Sequence, residues 1–466
     1  MSDNQDYRIE KDSLGEIQVP QQAWYGAQTA RAVINFPISG RRPDADFVLA
    51  HVRIKRAAAV ANQQPGWLSE EQCQAIVAAC DQVLAGQYLD QFVVDRFQAG
   101  AGTSHNMNSN EVIANLANCA LGGEKGVYTP VHPNDHVNMG QSTNDTIPTA
   151  IRLAALAKLP RMIQAIQAMA DEYARIGAAE QETVKSGRTH LQDAVPTTIG
   201  REFNAYAWTL RRAAESLAAC RDPLCEIGLG GSAAGTGLNT SPDYARRVAD
   251  ELARLTGERI RPAEDLAAQM QSMHDVQRLS SAIRDVTLEL TRISNDMRLL
   301  ASGPRTGLGE ILLPPVQPGS SIMPGKVNPV MFEMLNQTCY QVLGQDAAIG
   351  FMTQGGQLEL NVMMPAMGSA LFDAMEWLTN AVNAATERNL KGLKIDRERC
   401  SEFLHASVGL ATLLNTEIGY SAAAEVAKAS EKSGRPVRDI VAERGLMSGE
   451  DFDALVLKAA RDGRVD

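Results

Sequence analysis

Aromatic side chains are scarce in this chain: Phe, Tyr and Trp make up 5% of its 466 residues, against 44% hydrophobic residues overall. A core so short of rings must be packed by Ala, Leu, Ile, Val and Met, which suits close-packed helices better than a β-sandwich. No run of about 18 uninterrupted apolar residues occurs, so no membrane span is expected. Surplus positive charge is missing too. The net charge of −11 argues against nucleic acid as a partner, and any anionic substrate must be caught by a local cluster of donors. The seven cysteines, Cys73, Cys80, Cys119, Cys220, Cys225, Cys339 and Cys400, show no zinc-site spacing and read as reduced thiols of a cytoplasmic protein. The polar, acidic opening Met1–Tyr7 is expected to be neither a signal nor a transit peptide. Low-complexity linkers and internal repeats are absent.

What the chain does have is helical periodicity. Val276, Leu279, Ile283, Val286, Leu290, Ile293, Met297 and Leu300 alternate spacings of three and four, the pattern of a long helix-packing seam. Phe203, Tyr206, Leu210, Ala213, Leu217 and Cys220 repeat it up to Pro223, where a proline ends or kinks a helix. A weaker version runs through Leu156, Leu159, Ile163, Ile166, Ala170 and Tyr173, with a kink expected at Pro160. A further helical region, Met331–Arg388, reads as interrupted by Gly355-Gly356 and Pro365, and a last helix near Ala422–Ser433 as stopped by Gly434 and Pro436. The expected fold is mainly α, an elongated central bundle of long helices flanked by two smaller domains. The boundaries fall at residues 1–140, 141–395 and 396–466.

Four polar stretches interrupt this pattern. Gly319-Ser-Ser-Ile-Met-Pro-Gly-Lys-Val-Asn-Pro-Val-Met-Phe-Glu333 is punctuated by glycine and proline, so it is a loop. Lys326 and Asn328, a cation and an amide two apart, are suited to gripping a carboxylate. Gly100-Ala-Gly-Thr-Ser-His-Asn-Met-Asn108 reads as a polar turn before a helix starting near Asn110. Gln141-Ser-Thr-Asn-Asp145 precedes a helix opening at Pro148, with Asp145 or Thr146 as its N-cap; such a helix start also favours a bound carboxylate. Gly187-Arg-Thr-His-Leu-Gln-Asp-Ala-Val-Pro196 carries His190, and Arg188 there either braces the loop or touches substrate. His132 and His136 stand four apart, but Pro133-Asn134-Asp135 reads as a turn and no third metal ligand lies near, so no metal or cofactor is expected. Gly228-Leu-Gly-Gly-Ser-Ala-Ala-Gly-Thr-Gly237 superficially resembles a nucleotide loop, yet lacks its lysine and preceding strand, and reads as a turn between helices.

These stretches, in this order, resemble the motifs of the aspartase/fumarase superfamily, whose members eliminate a group from a succinyl-type substrate and release fumarate. The resemblance runs from about Arg8 to about Leu457. It implies Ser320 as the base that takes the Cβ proton, a role for which a serine needs its oxygen stabilised by N–H groups or cations. It implies a substrate pocket lined by Thr103, Ser142, Thr143, Asn144 and Thr189. Ser321, Lys326 and Asn328 would hold a carboxylate and stabilise the developing charge, while His190, paired with Glu333, meets the leaving group. It also implies a homotetramer whose central bundles associate, with three regions from three different subunits forming each site, so that monomers are inactive. His132-Pro-Asn-Asp135 resembles a second anion site of fumarases, or is a structural turn.

Within the family, Gln141-Ser-Thr-Asn144 is similar to the ammonia-releasing branch, and Thr103-Ser104 and Lys326-Val-Asn-Pro-Val-Met331 lean the same way. Gly230-Gly231-Ser232 and His190 are similar to the water-releasing branch. Val362-Met363-Met364-Pro365 departs from both, and His105 is uncommon between Ser and Asn. The balance favours elimination of ammonia from L-aspartate to give fumarate. Water elimination from L-malate is the alternative, and a catalytically silent structural relative a distant third.

Overall fold

In the computed structural model, which describes residues 6–463, the chain is mainly α-helical with only two-stranded sheets. Residues 1–5, which carry most of the reading of the N-terminus, lie outside the described residues. A hairpin of β1 (Tyr7–Asp12) and β2 (Gly15–Pro20) leads into α1 (Ala27–Asn35), α2 (Ala45–Asn62), α3 (Glu70–Leu84) and α4 (Thr103–Ala120). Next come α5 (Thr143–Ala179), a second hairpin of β3 (Val184–Thr189) and β4 (Gln192–Thr198), α6 (Ile199–Ala218) and the short α7 (Arg221–Leu224). Strand β5 (Glu226–Ile227) pairs in parallel with β6 (Arg261–Pro262) across α8 (Tyr244–Thr256). Then follow α9 (Ala268–Gln271), α10 (His274–Leu300), β7 (Ile311–Leu312), α11 (Val330–Thr353), α12 (Met364–Arg388) and β8 (Lys394–Ile395), which pairs with β7. The chain ends in α13 (Arg397–Ala406), α14 (Asn415–Ile418), α15 (Tyr420–Ser433), α16 (Val437–Glu443) and α17 (Gly449–Asp462).

All eight seam residues of α10 are buried; its 27 residues span about 40 Å. In α6 the buried row slips from Ala213 to Ala214, and in α5 Met162 is more buried than Ile163. A straight helix turns every 3.6 residues, so a strict heptad pattern drifts across its face. Helix α5 continues through Pro148 and Pro160 as one element, whereas α6 stops before Pro223. Pro365 is the second residue of α12, where its missing N–H costs nothing, so this proline helps start the helix.

Polar residues set the helix ends. Asp44 accepts from the backbone N–H groups of Asp46 and Phe47 at the start of α2, and Ser69 and Gln72 close a capping box on α3. Asp396 and Ser448 cap α13 and α17 in the same way. Helix α15 ends at Gly434 in the left-handed conformation (φ 68°).

The residues form two compact units. The first comprises 6–162, 216–284 and 341–377, the second 163–215, 285–340 and 378–463. Within the first, Val48, Val52, Ile76, Cys80, Phe92, Ile113 and Leu116 form a core, with Trp24 and Tyr88 packed on it. Within the second, Leu404, Leu414, Val426, Ile440, Phe452 and Val456 form another. Burying each such side chain contributes about 1.5–3 kcal/mol. All seven cysteines are free, and all but Cys119 are buried. No helix among the described residues is long and apolar enough to cross a membrane.

Candidate active site

The polar residues of the first unit gather at two helix starts. Helix α4 begins at Thr103, seven residues before Asn110, because Ala101 (φ 62°) and Gly102 (φ 91°) turn the chain into it. Its N-cap residue, Gly102, has no side chain to close it; Gln98 Oε1 instead accepts the His105 N–H (2.8 Å), and Thr103 stands exposed at the helix start. Helix α5 begins at Thr143, ahead of Pro148. Ser142 Oγ accepts the Asn144 N–H (3.2 Å), and Asp145 reaches back to the Ser142 N–H (2.9 Å). The cap is therefore Ser142, and Asp145 is its reciprocal partner rather than the cap itself.

Asp145 also organises the Gly-rich run. Its other carboxylate oxygen accepts N–H groups of Gly230 (3.1 Å) and Ser232 (2.9 Å), and Asn144 Nδ2 donates to the Ala233 carbonyl (2.8 Å). Gly235 (φ 85°) lies against Ala267, where a Cβ would collide. The run is a turn folded onto the start of α5. Burial pushes the Asp145 carboxyl up to about 7, against the pull of its three N–H donors and of Lys55.

Lys55, which carries no motif signal, proves central to this cluster. It is wholly buried in α2, and its Nζ donates to Asn106 Oδ1 (2.7 Å), Asn138 Oδ1 (3.0 Å) and Gln141 Oε1 (3.0 Å). Asn106 Nδ2 in turn donates to Thr143 Oγ1 (3.0 Å), joining the starts of α4 and α5. Burial pulls the Lys55 ammonium down to about 7, opposed by the charge of Asp145. The only available sequence signal was a lysine on an otherwise apolar face, among His51, Val52, Ala58 and Ala59.

His105 departs from this polar order. It is buried against Phe47 (ring centroids 4.6 Å) and His51 (5.0 Å), and neither ring nitrogen has a hydrogen-bond partner among the described residues. Burial pulls its pKa to about 3, so it stays neutral. The His132–Val137 segment is a π-helical turn in which His132 Nδ1 accepts the N–H groups of Asn134 and Asp135. The same Nδ1 lies 3.3 Å from the Asp135 carboxylate. His136 Nδ1 accepts the His132 N–H (2.8 Å). Among the described residues, no group of three or more His, Cys, Asp and Glu side chains is arranged to hold a metal ion.

The second unit holds the remaining residues. Thr189 pairs with Gln192, so His190 and Leu191 form a two-residue hairpin turn with φ of 56° and 57°. Such turns favour Asn-Gly; here two larger residues take the left-handed conformation, at a cost of order 1–3 kcal/mol each. The turn holds His190 at an exposed tip next to the exposed Thr189. Arg188 is braced: its Nη1 lies 2.8 Å from Glu310, a wholly buried carboxylate that also meets Lys185 Nζ at 2.7 Å.

The Gly319–Asn328 segment is a loop with a closed neck. The Gly319 N–H donates to the Lys326 carbonyl (3.0 Å), and Asn328 Nδ2 donates to the Gly319 carbonyl (2.8 Å). A Cβ on Gly319 would overlap the Lys326 oxygen. Inside the neck, Ser320 Oγ accepts the N–H groups of Ile322 (3.2 Å) and Met323 (3.0 Å). Lys326 and Ser321 are exposed, and their side chains make no hydrogen bond among the described residues. Glu333 sits in the first turn of α11, half-buried, and no ion pair joins it to His190 among the described residues.

A family model described as "Lyase" matches residues 15–344, and another described as "Fumarase C C-terminus" matches residues 410–459. An aspartate ammonia-lyase from Bacillus sp. is 44% identical over 453 residues, 97% of this chain and 97% of its own. Among solved structures, a fumarate lyase:delta crystallin from Brucella melitensis, bound to cobalt, is 43% identical, with a TM-score of 0.94 over 98% of this chain and 100% of that one. A class II fumarase from Schistosoma mansoni is 35% identical, with a TM-score of 0.93 over the same shares of the two chains.

Proposed function

The chain belongs to this lyase family, and on that footing we propose that it is a carbon–nitrogen lyase catalysing reversible elimination of ammonia from L-aspartate to give fumarate. The observation that carries the chemistry is the pair of N–H groups on Ser320 Oγ. Two donors aimed at one oxygen stabilise its alkoxide, which is the form able to take a proton from the carbon beside a carboxylate. Removing that proton drives negative charge onto the carboxylate. Lys326, unengaged at the loop's surface, and Ser321 are the groups that meet it, while Asn328 ties the neck closed at its base. Thr103, Ser142, Thr143 and Asn144, at two helix N-termini, bind the substrate's carboxylates. Thr189 and His190 face the leaving group, with Glu333 behind the imidazole.

The functional unit of this reading is a homotetramer in which several copies complete each site. The strained, exposed tip at His190 and the exposed Trp208, Leu288 and Tyr340 support it, because large apolar side chains facing outward suit contact between copies. The free thiols suit a reducing cytoplasm, and the three-segment division at residues 140 and 395 remains our proposed domain plan. Water elimination from L-malate is the second reading, favoured by Gly230-Gly231-Ser232.

The deciding experiment follows fumarate absorbance with purified protein, offering L-aspartate and L-malate in parallel. Fumarate from aspartate alone is expected. Fumarate from malate alone would make this a fumarase, and silence with both would sink both assignments and turn attention to other succinyl substrates or to a silent relative.

A further inference from the structure

An ammonium has three hydrogens and no lone pair, so it dictates which end of a neighbouring amide faces it. Lys55 does this to three amides at once, one from each of the stretches around Asn106, Asn138 and Gln141. The Asn138 oxygen also receives Asn106 Nδ2 (3.3 Å), and its own Nδ2 donates to the Gln141 carbonyl (3.2 Å). Gln141 Nε2 donates to the carbonyls of Val137 (2.9 Å) and Met139 (3.2 Å). Every amide is thus locked in one orientation. With its oxygen held by Lys55, Asn106 must present N–H to Thr143 Oγ1. Thr143 therefore receives a hydrogen bond, and its own hydroxyl proton is left to donate outward from the half-buried first residue of α5.

We propose that Lys55 is a positioning residue which, acting through Asn106, keeps the Thr143 hydroxyl a hydrogen-bond donor toward a substrate carboxylate. The inference rests on reading Ser142–Asn144 as part of the carboxylate-binding site. With Asn106 reversed, Thr143 would donate inward and turn a lone pair toward the dianion, replacing attraction by repulsion. No carboxylate forms a contact ion pair with Lys55 among the described residues, so its hydrogen bonds go to the three amides. A lysine serving only to fill the core would have no use for this polarity.

The test is calorimetric binding of succinate, a dicarboxylate without a leaving group, to the full-length protein. Lys55→Met, Asn106→Leu and Thr143→Val are each expected to weaken binding about tenfold or more, the equivalent of one charge-assisted hydrogen bond. Asn106→Leu combined with Thr143→Val is expected to bind no worse than Thr143→Val alone, because Asn106 acts on the ligand only by orienting the Thr143 hydroxyl. Should Lys55→Met melt too low to assay, the Asn106 and Thr143 cycle decides. Unchanged affinity in Asn106→Leu, or losses that multiply in the double variant, would overturn the proposal. A wild type that fails to bind succinate overturns it together with the carboxylate-site reading. Coupling without turnover of L-aspartate keeps the positioning role and removes only the assigned reaction.

Discussion

Replacing Glu310 by glutamine deletes one charge from a buried cluster and lets the strength of the His190 hairpin's anchor be measured. The wild type places Lys185 between Glu202 (2.8 Å) and Glu310 (2.7 Å), and Arg188 against Glu310 (2.8 Å). The Glu310 side chain is 0% exposed, that of Lys185 4%, and that of Arg188 16%. Glutamine carries no charge, and its amide nitrogen must face one of the two cations. Removing one partner of a buried pair costs about 3–5 kcal/mol. The lower end applies here, because Lys185 keeps Glu202, Arg188 reaches some solvent, and the Glu310 contacts are not aligned hydrogen bonds. For a cooperative unit of this size, about 3 kcal/mol lowers the melting midpoint by roughly 6–12 °C. Burial alone would lower the Lys185 pKa, but Glu202 and Glu310 outweigh it and raise it above 10.5. A raised folded-state pKa stabilises the protein below 10.5, and the benefit fades as pH climbs through the folded value. Scanning calorimetry at fixed protein concentration should therefore show the full gap between wild type and Glu310→Gln at neutral pH, narrowing in strong alkali. A shift below about 2 °C at pH 7 would show that the anchor is not electrostatic.

Ser320→Ala is expected to lower kcat by several orders of magnitude while leaving assembly unchanged by size-exclusion chromatography; retained turnover would remove its role as base. Asp145→Asn keeps one acceptor oxygen for three N–H donors, so at least one of Ser142, Gly230 and Ser232 faces an NH2 group. A loss of about 1–3 kcal/mol should appear in urea unfolding, and an unchanged midpoint would refute the account. His105 is neutral in the fold but gains a proton on unfolding below 6.5, so stability falls as pH drops from 6.5 toward about 3. At pH 5 this amounts to about 2 kcal/mol, and His105→Phe should flatten the acid side of the stability curve; an identical slope would contradict it.

The fold was legible in the sequence where short-range pattern decides it. The α10 seam, the Gly434 stop and the absence of larger sheets all follow from spacing and turn chemistry. Helix starts were read late at Thr103 and Thr143, because polar residues in a first turn look like loop until their caps are seen. Lys55 and Glu310 were invisible for a different reason. Each owes its meaning to partners from about 50 to 125 residues away in the chain, and no local periodicity encodes such meetings. The motif residues themselves stood out by composition, but which amide faces which hydroxyl is a property of packing alone.

The hairpin tip has an evolutionary corollary. At His190 and Leu191 the backbone adopts a conformation that Asn-Gly would hold with less strain. Selection for heat resistance alone should push these two positions toward Asn-Gly, and in doing so would delete the imidazole that our reading turns toward the leaving group. The residues at this turn are therefore a record of which pressure has prevailed: a histidine kept there is one the chain retains against its own stability.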